Sequence, residues 1–265
     1  MPIDQPGLYQ IPLNEYIADP CPVPSLSASI AHALITESPL HASMRHPRLH
    51  PGGERDQSAK ADIGTIVHGL LLENDESRVM IVEADDWRTK DAKAQREAAY
   101  TAGHVPVLAK QMGPIREIVA AAKSAMAQSE LAEAFTPQGG KAEQTLLWQE
   151  GEIWLRSRPD WITNDHRLIL DLKTTTGSAE PTAWLRTMLS NGNDLQAVLG
   201  LRGIKTLDPT SRCQFVFWVV EQNPPYASSF VGLSPQFLEM SEHKIERAIR
   251  DWTDCMTTNT WPGFP

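Results

Sequence analysis

Apolar and polar residues alternate along residues 145–174, which read TLLWQEGEIWLRSRPDWITNDHRLILDLKT. Because successive side chains of a β-strand point to opposite faces, this period of two predicts strands. We expect three antiparallel strands, separated by turns at Glu-Gly-Glu and Asn-Asp-His. Leu168, Leu170 and Leu172 then share a core face, which leaves Asp171 and Lys173 together on the opposite face.

Apolar residues recur at helical spacing on both sides of this segment. The first 60 residues predict one helix of roughly ten residues that starts at Ser27 or Ser29 and ends at Ser38-Pro39. Further helices are predicted over residues 62–73, 85–101 and 113–135. After the strands, the pattern predicts two helices around an Asn-Gly-Asn break, a hairpin across Asn-Pro-Pro, and a terminal helix beginning at Ser234-Pro235.

The chain has 265 residues, of which 41% are hydrophobic, and this is enough for one sizeable core. We therefore expect an α/β (α+β) protein with a single domain over residues 1–265. Its expected parts are an N-terminal loop and helix elaboration, a helical part, a sheet core and a C-terminal helix, over residues 1–60, 61–135, 136–233 and 234–265.

Charge and cysteine content exclude several classes of protein. The formal net charge of −9 does not favour polyanions, so a nucleic-acid contact needs a local basic track or a bridging cation. Three scattered cysteines argue against a disulfide framework, a zinc ribbon or an iron–sulfur cluster. The N-terminus lacks the pattern of an export signal, and no apolar run approaches ~18 residues. Together these features predict a cytoplasmic protein without a membrane span.

The charged face of the last strand has two interpretations. If the turn is centred on Asp165-His166, Asp160 pairs with Asp171 across the hairpin, with Cβ atoms about 4.5–5.5 Å apart. Carboxylates this close repel unless a cation or a proton lies between them, and Mg²⁺ takes such oxygen ligands together with phosphate and water. Lys173 could then position or deprotonate an attacking water. Alternatively, Asp160 is an ordinary turn residue and the other two charges form the solvated face of an edge strand.

Three motifs resemble those of one nuclease superfamily. "RPD", a ten-residue gap and "DLK" resemble the PD-(D/E)xK signature. "GTIVHGLLLE" looks like the G-x-x-x-H-x-x-x-x-E helix of RecB-type and RecE-type nucleases, and "DLQAVLG" resembles their downstream helix with a glutamine. Segments near the start and end of the chain also resemble the exodeoxyribonuclease VIII (RecE) branch, so the likeness covers nearly the whole chain in the right order.

The resemblance implies a restriction-endonuclease-like core. Its central mixed sheet would be built on the three-strand antiparallel meander and flanked by helices, with an extra N-terminal helical region. The implied metal ligands are His68, Asp160, Asp171, the backbone carbonyl of Leu172 and, from an acidic position before the first strand, Glu143. Lys173 would be the catalytic lysine, acting with both aspartates, and Gln196 would lie near the scissile phosphate or orient the lysine.

Two of these positions have other readings. On sequence alone, His68 flanks an apolar helix stripe, where a histidine is more often a satisfied core residue than a ligand. The glutamine helix departs from the family, since Asn193 and Gly200 occupy positions where relatives commonly have tyrosines, and this puts its DNA-contacting role in doubt.

The resemblance also implies a substrate and partners. We expect an exonuclease dependent on Mg²⁺, or on Mn²⁺, that acts on double-stranded DNA ends in phage or prophage recombination. A ring-shaped homo-oligomer and a single-strand annealing protein are the implied partners. Arg158 and Arg186 are candidate phosphate contacts, and Trp161 is a candidate for base stacking. The alternatives are a structure-selective or single-strand nuclease of the same superfamily and a catalytically silent DNA-end-binding module.

Overall fold

The computed structural model describes residues 1–51 and 59–264; residues 52–58, part of the expected N-terminal elaboration, lie outside the described residues. The strands are β1 Gly7–Tyr9, β2 Val79–Val82, β3 Val105–Leu108, β4 Gly140–Ala142, β5 Thr145–Glu150, β6 Ile153–Ser157, β7 Trp161–Thr163, β8 Leu168–Thr175, β9 Gln214–Glu221 and β10 Ser228–Gly232. The α-helices are α1 Leu13–Ile17, α2 Ala28–Thr36, α3 Pro39–Arg45, α4 Ala59–His68, α5 Lys90–Thr101, α6 Ala109–Ala127, α7 Pro181–Ser190, α8 Asn193–Leu207 and α9 Pro235–Thr258.

A mixed five-stranded sheet with the order β10-β9-β8-β7-β4 forms the centre of the fold. β8 pairs in parallel with β9 and antiparallel with β7, so it is an inner strand. Strands β1, β5 and β6 form a second sheet, and β2 and β3 form a short parallel pair. The expected α/β class with a mixed sheet and flanking helices is confirmed.

The predicted meander is divided between two sheets. The strands β5 and β6 pair with each other, and β7 and β8 pair with each other, as expected. Between β6 and β7 the chain passes from one sheet to the other through Arg158, Pro159 and Asp160, which belong to neither strand. The prediction of three consecutive strands in one sheet was therefore wrong at this junction, where a proline removes a backbone donor.

Hydrophobic clusters cover both faces of the central sheet. On β8, Ile169 faces a cluster shared with α2, α8 and α9, whereas Leu170 and Leu172 face a cluster shared with α4 and α6. Helices on both faces bury a central strand on both sides. The expectation that Leu170 and Leu172 belong to a core face is confirmed, but the opposite face is also covered by helices.

The helix that carries His68 begins at Ala59 and is α-helical to that histidine. Residues Gly69–Glu73 then form one π-helical turn, which ends at Asn74 in the left-handed conformation. The predicted span of residues 62–73 therefore starts three residues late and includes an irregular last turn. Such π-turns interrupt α-helices mostly as single turns.

The N-terminal region contains more helix than its pattern predicted. Ser27 precedes α2 as expected, but its side chain makes no capping hydrogen bond. Ser38 and Pro39 start a further helix, α3, in which Ser38 Oγ accepts from the backbone N–H of His41. Proline at a first helical position starts helices as readily as it follows them, so the prediction of a stop here was incomplete.

The downstream elements follow the sequence pattern. Helices α7 and α8 flank Gly192, β9 and β10 form the predicted antiparallel hairpin, and Ser234 caps α9. Within the part of the chain that the structure describes, no helix has the length and apolar character to cross a membrane.

Candidate active site

The two charges of β8 lie on an inner strand. Asp171 has no exposed surface, and the side chain of Lys173 is 23% exposed. Neighbouring strands on both sides and the helix α8 over this face leave Asp171 no contact with solvent. The alternative of a solvated edge strand is therefore excluded.

Asp160 reaches this strand from the start of the hairpin. Trp161 pairs with Leu170 in the register of β7 and β8, and one further step of this register sets Asp160 opposite Asp171, as predicted. The backbone N–H of Leu172 donates to Asp160 Oδ2 over 2.6 Å. Burial and the neighbouring charge of Asp171 raise the pKa of Asp160 well above its usual range. Its ionised form thus needs a compensating positive charge.

Both carboxylate oxygens of Asp171 have donors. The Lys173 ammonium pairs with Oδ2, and the Gln196 side-chain amide donates from Nε2 to Oδ1 over 2.7 Å. Burial lowers the pKa of Lys173, but the charges of Asp171 and Asp160 and the hydrogen bond to Asp171 outweigh it and raise the pKa. Lys173 is therefore held as an ammonium ion, so it can supply positive charge but not remove a proton in this arrangement.

His68 lies where the resemblance predicted a ligand. Its Nε2 is 2.8 Å from the carbonyl oxygen of Leu172 and 3.6 Å from Asp160 Oδ2. Burial, together with the charge of Lys173, lowers the pKa of His68, which favours the neutral imidazole that binds metals. Three of the predicted ligand atoms therefore converge on one point.

A close approach of α4 to β8 permits this convergence. A Cβ placed on Gly64, one helical turn before His68, would lie 3.1 Å from Thr174 Oγ1. Thr174 is itself held, because its hydroxyl accepts from Gln222 Nε2 over 2.8 Å. Gly64 is the glycine of the "GTIVH" motif, whose spacing alone gives no sign of this packing role.

Glu143 approaches the same point from the turn between β4 and β5. Its backbone has φ of +57° and donates to the carbonyl oxygen of Asp160 over 2.9 Å. Positive φ at a residue other than glycine is uncommon and is often found at functional sites. One ligand atom each from His68, Glu143 and Asp160 lies within 4.8 Å of the others.

This donor set fits a divalent cation. Carboxylate and carbonyl oxygens suit Mg²⁺, and Mn²⁺ also accepts an imidazole nitrogen. Burial and the nearby Asp171 charge raise the pKa of Asp160, and a bound cation would favour its ionised form. Asp171 is not in this group of three; its two oxygens contact Lys173 and Gln196.

Comparison with known proteins places this geometry in a family. Residues 36–264 match a family described as a PDDEXK-like domain of unknown function, DUF3799. The chain belongs to this PDDEXK-like family. No curated protein matches the sequence.

Solved structures with similar folds include two described as exonucleases. One, a provisionally assigned exonuclease from Eubacterium rectale, has 12% sequence identity and a TM-score of 0.59, with 97% of this chain and 96% of that chain covered. The other, a phage-related exonuclease from Haemophilus somnus 129PT, has 11% identity and a TM-score of 0.35, with 89% and 96% covered. At 12% identity, the first similarity is one of fold, and it agrees with the PDDEXK-like assignment.

Close packing explains why this chain has Gly200 where PD-(D/E)xK relatives commonly have a tyrosine. A Cβ at Gly200 would already lie 3.2 Å from side-chain atoms of Ile169 and Phe215, so α8 packs closely on β8 and β9. This short separation brings Gln196 to Asp171 instead of to Lys173, the other contact that was expected of it. A tyrosine at position 200 would push helix α8 away from β8 and β9.

Trp161 and Arg158, which were predicted to contact DNA, are buried and bind other groups of the protein. Trp161 is 6% exposed, donates its indole N–H to the carbonyl oxygen of Ala134 over 3.0 Å, and packs against Phe135. Arg158 is engaged by Glu143. Neither side chain offers a free surface to a base or a phosphate, so we do not assign these two residues to DNA binding. Arg186, on α7, is exposed.

A cleft of about 250 Å³ adjoins the PDDEXK-like site. Arg158 and Gln196, which contact site residues, line it together with Tyr16, Ser27 and Asn193. Tyr16 and Ser27 precede the family match, which starts at residue 36. Spacing along the sequence gave no signal for these residues, because only the folding of the N-terminal segment over β5 and β6 brings them here.

Proposed function

We propose that this PDDEXK-like protein is a divalent-metal-dependent nuclease that hydrolyses phosphodiester bonds of DNA. The observation that carries the proposal is the approach of His68, Glu143 and Asp160 ligand atoms to within 4.8 Å of one another beside the strand that carries the Asp171–Lys173 ion pair. The family and the fold support a nuclease. The assignment of individual roles is our own.

The proposed ligands are Asp160, Asp171, His68 and the Leu172 carbonyl, with Glu143 completing the set. A bound Mg²⁺ or Mn²⁺ would polarise a phosphoryl oxygen and lower the pKa of a coordinated water. The chain's own contribution is to hold these groups rigidly, since each is fixed by a strand, a helix or a backbone hydrogen bond. Such preorganisation avoids reorganisation of the site during the reaction.

Lys173 is the proposed catalytic residue. Its ammonium lies beside Asp171, and its side chain is 23% exposed, which supports access to a phosphoryl group at the site. Positive charge at this position offsets the negative charge that develops on the phosphoryl oxygens in the transition state. In this account Gln196 fixes Asp171 rather than contacting the scissile phosphate.

The finer proposal concerns the substrate. We infer an exonuclease of the RecE-like branch that digests linear double-stranded DNA from its ends in phage or prophage recombination, as a cytoplasmic homo-oligomeric ring with a single-strand annealing partner. The motif resemblance supports this substrate class, and the exonuclease description of the similar Eubacterium rectale structure supports an activity at chain ends. The net charge of −9 makes a metal-bridged phosphate contact more favourable than a broad basic surface.

End-labelled linear duplex tests the proposal. We expect release of labelled nucleotides that requires Mg²⁺ or Mn²⁺ and that Asp171→Ala reduces by about a hundredfold or more. Asp85→Ala, which removes an exposed aspartate remote in sequence from the site, should retain wild-type activity. A wild-type protein as inactive as the Asp171→Ala variant would contradict the nuclease assignment.

Circular substrates separate the alternatives. An exonuclease needs an end, so circular single-stranded and circular duplex DNA should remain intact. Cleavage of either circle would support the structure-selective or single-strand nuclease instead. A silent DNA-end-binding module should show no metal binding that depends on Asp160 and Asp171, and calorimetric titration would reveal this.

A further inference from the structure

Arg158 occupies an unusual position for a residue next to a cation site. Its Nε donates to Glu143 Oε2 over 2.7 Å, and its Nη1 donates to Thr145 Oγ1 over 2.9 Å and to the carbonyl oxygen of Ile11 over 2.8 Å. Only 8% of the side chain is exposed. The planar guanidinium thus bridges three acceptors from two segments, residues 143–145 and the N-terminal region, which an ammonium group on a flexible stem does less well.

This arrangement has a direct consequence for Glu143. One carboxylate oxygen, Oε2, accepts from Arg158, and one carboxylate oxygen of Glu143 belongs to the group formed with His68 and Asp160. The backbone of Glu143 is fixed as well, by its positive φ and by the hydrogen bond to the carbonyl oxygen of Asp160. The position of the Glu143 carboxylate is therefore set by residues 158 and 160, on either side of Pro159.

We propose that Arg158 is a positioning residue that holds the Glu143 carboxylate toward the divalent cation. This inference rests on the proposed function, because it assumes that His68, Glu143 and Asp160 bind a metal. It replaces the expectation that Arg158 contacts DNA phosphates. Groups that orient metal ligands through hydrogen bonds commonly change metal affinity by about 10–100-fold when they are removed.

The N-terminal arm, defined as residues 7–19, completes the support of Arg158. The Ile11 carbonyl accepts from the guanidinium, and the ring of Tyr16 lies 5.9 Å from its central carbon. The arm is attached through β1, which pairs with β5. It precedes residues 36–264, the region that matches the family, so this support for the site comes from outside the matched region.

The sign of the effect separates positioning from simple charge. A buried guanidinium beside a cation site repels the cation, so removing a residue that acted only through its charge would tighten metal binding. Removing a residue that holds a ligand would weaken it. The direction of the change in affinity therefore decides between the two accounts.

A double-mutant cycle in metal affinity tests the proposal. Calorimetric titration with Mn²⁺ compares wild type, Arg158→Met, Glu143→Gln and the double variant. We expect each single variant to bind Mn²⁺ about tenfold or more weakly, and the double variant to match Glu143→Gln within about twofold. Arg167→Met removes an exposed arginine from the turn of the hairpin and should bind as wild type does.

Thermal unfolding would show whether Arg158→Met folds. If it does not fold, Thr145→Val takes its place in the cycle. Thr145→Val removes one acceptor of the guanidinium with little change of shape, and we expect a smaller weakening that disappears in the Glu143→Gln background. If the wild-type protein binds no Mn²⁺, both the proposed metal site and this inference are overturned. Wild-type binding that Arg158→Met leaves unchanged or tightens, or a double variant weakened by the product of both effects, would overturn the positioning role alone.

Discussion

The side-chain amide of Gln196 donates to Asp171 Oδ1 over 2.7 Å, which joins helix α8 to the inner strand β8. Asp171 is fully buried, so each of its oxygens needs a donor, and Lys173 occupies the other one. The glutamine of the "DLQAVLG" motif thus contacts the carboxylate two positions before Lys173, the proposed catalytic residue. Its expected effect on activity is indirect.

We predict that Gln196→Leu lowers nuclease activity and destabilises the fold. The substitution leaves a buried carboxylate oxygen without its donor, which costs about 1–3 kcal/mol. Urea unfolding measures the stability, and single-turnover cleavage of linear duplex measures the activity. Gln214→Leu, at an exposed position on β9, is the matched control and should change neither quantity substantially. Full activity in a Gln196→Leu protein would show that Asp171 does not depend on this contact.

Substitution by alanine should affect stability differently at two glycines in helices, Gly113 and Gly64. In an unconstrained helix, Gly→Ala raises stability by about 1 kcal/mol. Gly113→Ala should keep part of this gain, because no group outside its own helix lies within 4 Å of the added Cβ, although Pro114 follows it. Gly64→Ala should lose this gain, since its Cβ would press on Thr174 Oγ1 at 3.1 Å. Displacement of α4 should also move His68 away from Leu172 and weaken Mn²⁺ binding. Equal stability gains and unchanged metal affinity in both variants would contradict the close approach.

A buried ion cluster outside the site predicts acid sensitivity. Asp19 contacts His46, Arg156 and Ser25, and all four residues are buried. Burial raises the pKa of Asp19, but the hydrogen bond from His46, the charge of Arg156 and the hydrogen bonds from Ser25 outweigh it and leave the pKa below its usual value. Because the folded pKa is lower than the unfolded one, the stabilisation is complete above the unfolded value near 4 and is lost as pH falls through the folded pKa.

Asp19→Asn should therefore reduce the free energy of unfolding at neutral pH by about 3–5 kcal/mol, since it leaves the Arg156 charge unpaired. The variant should also lose less stability than wild type between about pH 5 and pH 3. Urea unfolding over this range measures both effects. Asp86→Asn, at an exposed ion pair with Arg88, should cause little change. Parallel pH profiles for wild type and Asp19→Asn would refute the linkage.

Trp161→Phe tests whether this tryptophan belongs to the core or to the DNA surface. The indole N–H bonds to the Ala134 carbonyl, so its loss should cost about 1 kcal/mol of stability. The affinity for duplex DNA should stay at the wild-type value in a binding assay with Ca²⁺ in place of Mg²⁺. A marked loss of DNA affinity without loss of stability would restore the base-stacking role.

Local patterns of the sequence were sufficient for much of the architecture. The period of two identified β5 to β8, and the hairpin register placed Asp160 opposite Asp171, because turn position determines which residues pair. The spacing of apolar residues also located most helices. Where the pattern was wrong, at the division between β6 and β7 and at the helix that starts at Pro39, the local signal was compatible with two structures.

The site residues could not be identified from local patterns alone. Alternation alone left Asp171 and Lys173 as either a solvated face or a metal site. The motif resemblance favoured the site, and the inner position of β8 then excluded the solvated face. Burial of a strand depends on its neighbours in the sheet, which the alternation of one strand does not specify.

Local patterns and motifs were therefore enough to predict the strand-rich segment 145–174, the hairpin that joins Asp160 to Asp171, and a nuclease-like set of residues. The packing of distant elements was needed to show that Gln196 binds Asp171, that Arg158 binds Glu143, and that Trp161 lies in the core. The physical reason is that local periodicity specifies which face of an element a residue occupies. Which donor meets which acceptor depends on the separation of elements distant in sequence, and small residues such as Gly64 and Gly200 set that separation.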